Sequence, residues 1–170
     1  MNLEFNIKLG LQEDLNLPKI TRTAVRAVVM QQDKILLIAS ERGDFKLPGG
    51  GVEKGEAFEN ALQREIREEA GYTTSNVGKK LGQVIESKID DYDSNKVFEQ
   101  ISHYYMCDVT GEQIDQKLDV YESVLGFVPV WIDIESAIKL NDKYLKNHPT
   151  TKGWTKRENL ILKRISELKD

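Results

Sequence analysis

The stretch LPGGGVEKGEAFENALQREIREEAG, Leu47 to Gly71, decides how this chain is read. A glycine run opens onto a helix expected over Ala57–Ala70. Gly71 follows at the C′ position, where a helix end favours a residue with left-handed backbone. At about 100° per residue, Phe58, Ala61 and Leu62 share one direction and form a core-facing stripe. Glu65, Glu68 and Glu69 point within about 20–30° of that stripe, while Asn60, Gln63 and Arg67 take the other side. The acids therefore continue the apolar face, where a solvated charged face would lie opposite it.

Two costs sharpen the oddity. Glu65 and Glu69 are like charges at i,i+4, a spacing that destabilises a helix by a few tenths of a kcal/mol. Glu68 and Glu69 stand in the last turn, where the helix dipole disfavours anions by about 0.3–1 kcal/mol each. Arg64 can relieve Glu68 across one turn but cannot neutralise three acids. A divalent cation would relieve all of them, because hard cations take carboxylate oxygens and magnesium pairs these with substrate phosphates. An unpartnered acidic patch and a buried salt-bridge network are the alternatives.

The same residues resemble the box of the Nudix hydrolases, G-x5-E-x7-R-E-U-x-E-E-x-G-U, with U a bulky apolar residue. Gly50, Glu56, Arg64, Glu65, Ile66, Glu68, Glu69, Gly71 and Tyr72 fall in register. Tyr72 departs from the usual aliphatic last position but keeps its bulk. At average residue usage, the fixed identities would coincide on the order of once in 10⁸–10⁹ starts. The resemblance implies an α/β fold, an α/β/α sandwich around a central mixed β-sheet, spanning residues 1–170 as one domain. It implies hydrolysis of a nucleoside diphosphate linked to another group, with Mg2+ (or Mn2+) as cofactor. Carried over by position, Glu65, Glu68 and Glu69 are the expected metal ligands, joined by a backbone carbonyl at Gly49–Gly50. Arg64 is expected to orient the acids, and Glu56 to serve as a structural or outer-sphere acid alongside Gly50 and Gly71.

The chemistry follows from charge. Water attacks a polyanionic pyrophosphate linkage slowly. Divalent ions neutralise phosphates, polarise the P–O bond and lower the pKa of a bound water. A carboxylate then accepts the water's proton. Glu68 and Glu69 are candidates for that base; Glu99, Glu112 and Glu122 are candidates outside the box, each also readable as plain surface charge. Arg26, Arg42 and Lys46 are the expected substrate-binding cations. Arg42 and Lys46 lie close in sequence to the glycine run, and Arg26 lies in an apolar strand where a buried guanidinium needs an anionic partner. That partner is a substrate phosphate or a box acid. Arg22 reads as solvated surface charge.

Around the box, strands are expected at Leu3–Leu9, Thr23–Met30, Lys34–Ala39, Val77–Lys88, Val97–Cys107 and Phe127–Ile132, the last an edge or bulge because of Pro129. Leu11–Ile20, Thr110–Asp119 and Asn141–Gly153 read as loops, and Ile134–Leu140 as a short helix. A final helix is expected over 156–168, with Thr155 as N-cap and Glu158 completing a capping box. Leu160, Ile161, Ile165 and Leu168 should pack it on the sheet, with a homodimer contact as the alternative. Asp90–Lys96 is a polar loop expected to be mobile and close to the substrate. It imitates the start of a calcium loop, but Lys96 and Ser102 replace the Gly and Glu that such a loop requires. His103 is expected to pack, and Cys107 to be buried and inert.

The 170 residues, 39% hydrophobic and 31% charged, fit one globular domain with a sizeable core. A net charge of −4 argues against a broad surface for duplex nucleic acid. A small-molecule nucleotide remains the expected partner, since a bound ion supplies positive charge. No apolar run is long enough for a bilayer, and MNLEFNIKLG lacks the pattern of a signal peptide. With one cysteine, the simple expectation is a reducing cytoplasm. The proline and tyrosine that mark ADP-ribose and dinucleoside polyphosphate subgroups of the family are absent where Glu86-Ser87-Lys88 stands. That favours a nucleoside triphosphate or modified nucleotide, leaving capped RNA ends and nucleotide sugars open. A nucleotide-sensing Nudix-fold binding module is the alternative to an enzyme; the intact set of acids argues against it.

Overall fold

The computed structural model describes residues 4–151 and 153–168. Leu3, in the expected first strand, and Lys152, in an expected loop, lie outside the described residues. Strands β1 (Phe5–Gly10), β2 (Lys19–Val28), β3 (Met30–Gln31), β4 (Lys34–Ala39), β5 (Phe45–Lys46) and β6 (Gly49–Gly51) precede helix α1 (Phe58–Glu65). A π-helical turn, Ile66–Ala70, continues α1 without a break. Then come β7 (Thr73–Ile89), β8 (Val97–Thr110), α2 (Val120–Val124), β9 (Val128–Asp133), α3 (Ile134–Asn147) and α4 (Thr155–Ser166).

The larger sheet has the order β1-β7-β8-β2-β6 and is mixed. Strands β1 and β7 are parallel, β7 and β8 antiparallel, β8 and β2 parallel, and β2 and β6 antiparallel. The second sheet is antiparallel. One edge of β4 pairs with β9, and the other takes β3 at its start and β5 at its end. Pro129 sits in β9, which among the described residues pairs with β4 alone, so its missing N–H costs no ladder bond on the outer side. The β3–β4 turn places Gln32 and Asp33 at φ 47° and 63°, the paired left-handed conformation of tight hairpin turns.

Alternation along β2 and into Val29, which follows it, divides the core. Val25, Ala27 and Val29 meet Ala61, Leu62, Ile66 and Ala70 of the box helix. Val28, with Tyr104 and Val84, meets Ile134, Ala137 and Ile138 of α3 and Ile161, Leu162 and Ile165 of α4. Helices thus cover a mixed sheet on both sides, the α/β/α arrangement expected.

Three expectations need correction. Strand β2 begins at Lys19 rather than Thr23, because its exposed first residues pair with Val97–Gln100 of β8. Helix α3 runs to Asn147, through residues read as loop. Its buried stripe, Ile134, Ala137, Ile138, Asn141 and Tyr144, is helical in period but interrupted by a polar residue. Asn141 is buried because its side chain accepts from the Phe45 N–H (2.8 Å) and donates to the Phe45 carbonyl (3.1 Å), closing the edge of β5. Finally, Thr155 is the first residue of α4 and not its N-cap, which is Trp154, and there is no Thr155–Glu158 capping box. Thr155 Oγ1 donates instead to Asp44 (2.8 Å), and Glu158 turns inward to accept from the Leu47 N–H (2.9 Å). The buried face of α4 accordingly includes Arg157, Glu158 and Asn159 beside its apolar residues.

Candidate active site

The box helix buries Glu65 and Glu69 together with Ala61, Leu62 and Ile66. Glu68 is half-buried at the rim, its side chain 37% exposed. The switch from α to π geometry falls between Glu65 and Glu68. Single π turns recur at functional positions because they re-aim side chains within a helix. Gly71 closes the turn at φ 74°, and its N–H donates to the Arg67 carbonyl. Loop residues satisfy the carbonyls beyond: Lys117 N–H on Glu68, the Gln116 amide on Glu69 and Ile114 N–H on Gly71. The loop docked in this way leads into α2, capped by Asp119, whose carboxylate accepts from the Glu122 N–H (2.8 Å).

Glu122 is thereby brought to the box. Carboxylate oxygens of Glu65, Glu69 and Glu122 lie within 4.8 Å of one another. The other outside candidates are elsewhere. Glu99 pairs with Lys19 at 3.4 Å, and Glu112 is exposed in the loop after β8. Burial and then the neighbouring Glu69 raise the Glu65 carboxyl above its ordinary value. Burial, with Glu69 contributing, pushes Glu122 up to about 7. Crowded acids of this kind are the donor set a hard divalent cation prefers, so the residues present fit the cofactor.

Arg64 organises the near side. Its Nε and Nη2 donate to Glu56 (both 2.8 Å), Nη1 to Glu65 (2.8 Å) and, at 3.4 Å, to Glu68, and Nη2 also to the Gly51 carbonyl (3.0 Å). The guanidinium holds the Glu56 carboxyl down to about 2. Gly50 leaves room for the Glu65 carboxylate: a Cβ there would lie 2.5 Å from Glu65 Oε1. Tyr72, at the box's last position, packs edge-on against Trp131 and accepts its indole N–H (3.1 Å), tying the helix end to β9.

The three expected substrate cations are placed differently. Lys46 is buried in the acid site, 2.7 Å from Glu69 Oε1 and 3.1 Å from the Gly49 carbonyl. Arg26, 6% exposed, donates to the same carbonyl (2.8 Å) and stands 3.9 Å from Glu158. Arg42 pairs with the buried Asp44 (2.9 Å), with the rings of Tyr144 and Trp154 each just over 5 Å away, and is not brought to the acids. Arg22 meets Gln100 (2.7 Å) beside Gly51.

Sequence reasoning missed Glu158 and Arg157. Glu158 is fully buried and pairs with Arg157 (3.0 Å), which also holds Glu86 (2.7 Å). A signal was available: Glu158 stands three, four and seven residues before Ile161, Leu162 and Ile165, on the apolar stripe of its own helix. His103 lies 4.7 Å from the Phe58 ring, and burial lowers its pKa. Cys107 is buried, its thiol pushed up to about 12 by desolvation and then by Asp108. A cavity of about 520 Å³ lies under the Asp90–Lys96 loop, lined also by Ile20, Lys88 and Phe98; none of the acid cluster lines it.

The NUDIX domain profile matches residues 20–153. An ADP-ribose pyrophosphatase of Methanocaldococcus jannaschii is 48% identical over 52 residues, 28% of this chain and 31% of the relative. A nucleoside triphosphatase NudI of an Enterobacter species is 48% identical over 56 residues, 29% of this chain and 40% of that protein. The matched stretches thus span well under half the length of these relatives. A solved NUDIX hydrolase from Nitrosomonas europaea superimposes with a TM-score of 0.52 at 25% identity, covering 69% of this chain and 75% of that one. With the profile covering most of its length and the box acids gathered at one site, the chain belongs to the Nudix family.

Proposed function

We infer that the protein is a metal-dependent pyrophosphohydrolase that cleaves the phosphoanhydride of a nucleoside triphosphate or modified nucleotide in the cytoplasm. The observation that carries this reading is the cluster of Glu65, Glu69 and Glu122 beside the Gly49–Gly50 backbone. When bound there, Mg2+ or Mn2+ would neutralise substrate phosphates and acidify a water. Glu65, Glu69 and the Gly49–Gly50 carbonyls would hold it, with Glu68 at the rim. Arg64 fixes the Glu65 carboxylate and keeps Glu56 ionised, so the ligand set is oriented before the ion arrives.

Glu122 is the assigned proton acceptor. It touches Glu69, comes from a separate element, and is less buried than Glu65 and Glu69. Among the expected substrate cations, Arg26 acts through the Gly49 carbonyl it orients, and Arg42 braces the β4–β5 loop. The relatives named ADP-ribose pyrophosphatase and nucleoside triphosphatase define the panel for the test. Nucleoside triphosphates, oxidised nucleotides, ADP-ribose and nucleotide sugars are incubated with magnesium, and phosphate and pyrophosphate release are measured. Magnesium-dependent release from a nucleotide is expected. Binding without turnover across the panel would replace the enzyme by a nucleotide sensor.

A further inference from the structure

Lys46 is the feature that the reading above leaves over. Lys46 is 4% exposed, with the Phe127 ring 5.3 Å from its ammonium, so it is not a flexible surface cation reaching for solvent. Its two oxygen partners are Glu69 Oε1 and the Gly49 carbonyl, both among the atoms expected to ligate the metal. The second carboxylate oxygen of Glu69 accepts from the Gly49 N–H (3.0 Å), which fixes the acid and the carbonyl relative to each other. The pair therefore forms a rigid two-oxygen seat under the Lys46 ammonium; Arg26 also donates to the Gly49 carbonyl (2.8 Å), so the position Lys46 holds on that oxygen is the one left for an ion.

Magnesium bonds oxygen at about 2.0–2.1 Å. An ion that close to both oxygens would press against an ammonium that donates to the same two atoms. Like charges in contact inside a buried site repel strongly. We propose that Lys46 and the divalent ion compete for Glu69 Oε1 and the Gly49 carbonyl. Metal entry displaces the ammonium, and the displaced ammonium moves to a phosphate oxygen of the substrate. A lysine suits such an exchange: it is a compact charge on a flexible stem, where an arginine fork would be geometrically committed. The exchange deepens the hydrolase reading and rests on it for the identity of the site.

The test uses metal affinity and lysine chemistry rather than turnover. Mg2+ and Mn2+ binding to the wild-type chain, Lys46→Met and Lys46→Arg is measured by calorimetry, with circular dichroism confirming the fold. Losing one buried charge-assisted hydrogen bond to the competitor should tighten binding to Lys46→Met about tenfold or more. Lys46→Arg should not show that gain. In the wild-type protein, an amine-acylating reagent read by peptide mass spectrometry should label Lys46 faster once Mg2+ is saturating. This second measurement decides the matter if Lys46→Met does not fold. Unchanged or weaker metal affinity in folded Lys46→Met, or labelling of Lys46 that the ion does not alter, overturns the exchange. Failure of the hydrolase reading looks different: competition is seen, yet no nucleotide in the panel is cleaved.

Discussion

Two buried charge clusters flank the Gly49–Gly50 strand, and they are built to opposite ends. On the α4 side, Arg26 and Arg157 face Glu158 and Glu86, two cations against two acids, in pairs of 2.7 to 3.9 Å. On the box side, Glu65, Glu69 and Glu122 crowd together, with Lys46 on one of them and Arg64 shared among Glu56, Glu65 and Glu68. A balanced buried cluster needs nothing more and serves as scaffold. An acid-rich one is incomplete electrostatically and accepts a further cation. The scaffold cluster holds the loop that the acid cluster uses: Glu158 takes the Leu47 N–H, and Arg26 takes the Gly49 carbonyl.

The two clusters should therefore answer mutation differently. Glu122→Gln, on the acid side, should lower kcat by about 10²–10⁴-fold while metal affinity falls much less, as expected for a general base. Single-turnover kinetics with metal titration check it; a kcat within twofold of wild type removes Glu122 from the chemistry. Glu158→Leu, on the balanced side, removes the buried acid that Arg26 and Arg157 share, leaving them the Gly49 carbonyl and Glu86, and should cost about 3–5 kcal/mol in denaturant unfolding. A loss below about 1 kcal/mol would show that the pairing is not what holds α4 to the sheet.

A smaller effect is expected at the seam. Gly50→Ala puts a methyl group against the Glu65 carboxylate, which is the far end of its side chain and makes room by shifting on Arg64. Folding should be nearly unaffected while metal binding weakens by about tenfold, the scale of a misplaced ligand partner. Unaltered affinity would mean that Glu65 does not ligate.

The smallest contrast is in pH. In the folded chain Glu122 is held near 7 against an ordinary 4.5. The folded state thus binds the proton more tightly, and the associated stability is fully present below pH 4.5 and lost as pH rises through 7. In chelator-treated protein, Glu122→Gln should match the wild type below about pH 4.5 and become the more stable of the two approaching pH 7. Melting temperatures across that window decide it; parallel curves would place Glu122 in ordinary solvent.

How much of this could be read in the chain depends on whether charge obeyed local periodicity. Glu65 and Glu69 were legible because they sit on an apolar helical stripe, where their direction alone sets them apart. Glu68 shares the register but stays half-exposed, and the π turn that redirects this segment has no sequence signal that a 3.6-residue wheel can detect. Glu122 reaches the site only because the 111–119 loop docks on the carbonyls ending the box helix, a tertiary event. Thr155 and Glu158 carried a local capping pattern that tertiary partners overrode: Asp44 and the Leu47 N–H made better use of them. Asn141 hid the length of α3 for the same reason, its amide serving a strand edge 96 residues away.

The most direct test of the acid cluster is Glu69→Gln, compared with wild type for magnesium-dependent phosphate or pyrophosphate release on the preferred nucleotide, each with and without chelator. Glu69 is buried at the centre of the site, touching Lys46, the Gly49 N–H and Glu122. Release by the wild type should vanish with chelator, and release by the variant should be lower by orders of magnitude at an unchanged circular dichroism spectrum. Wild-type turnover in the folded variant, or wild-type turnover that survives chelation, would contradict the assignment of this cluster as the metal-dependent catalytic site.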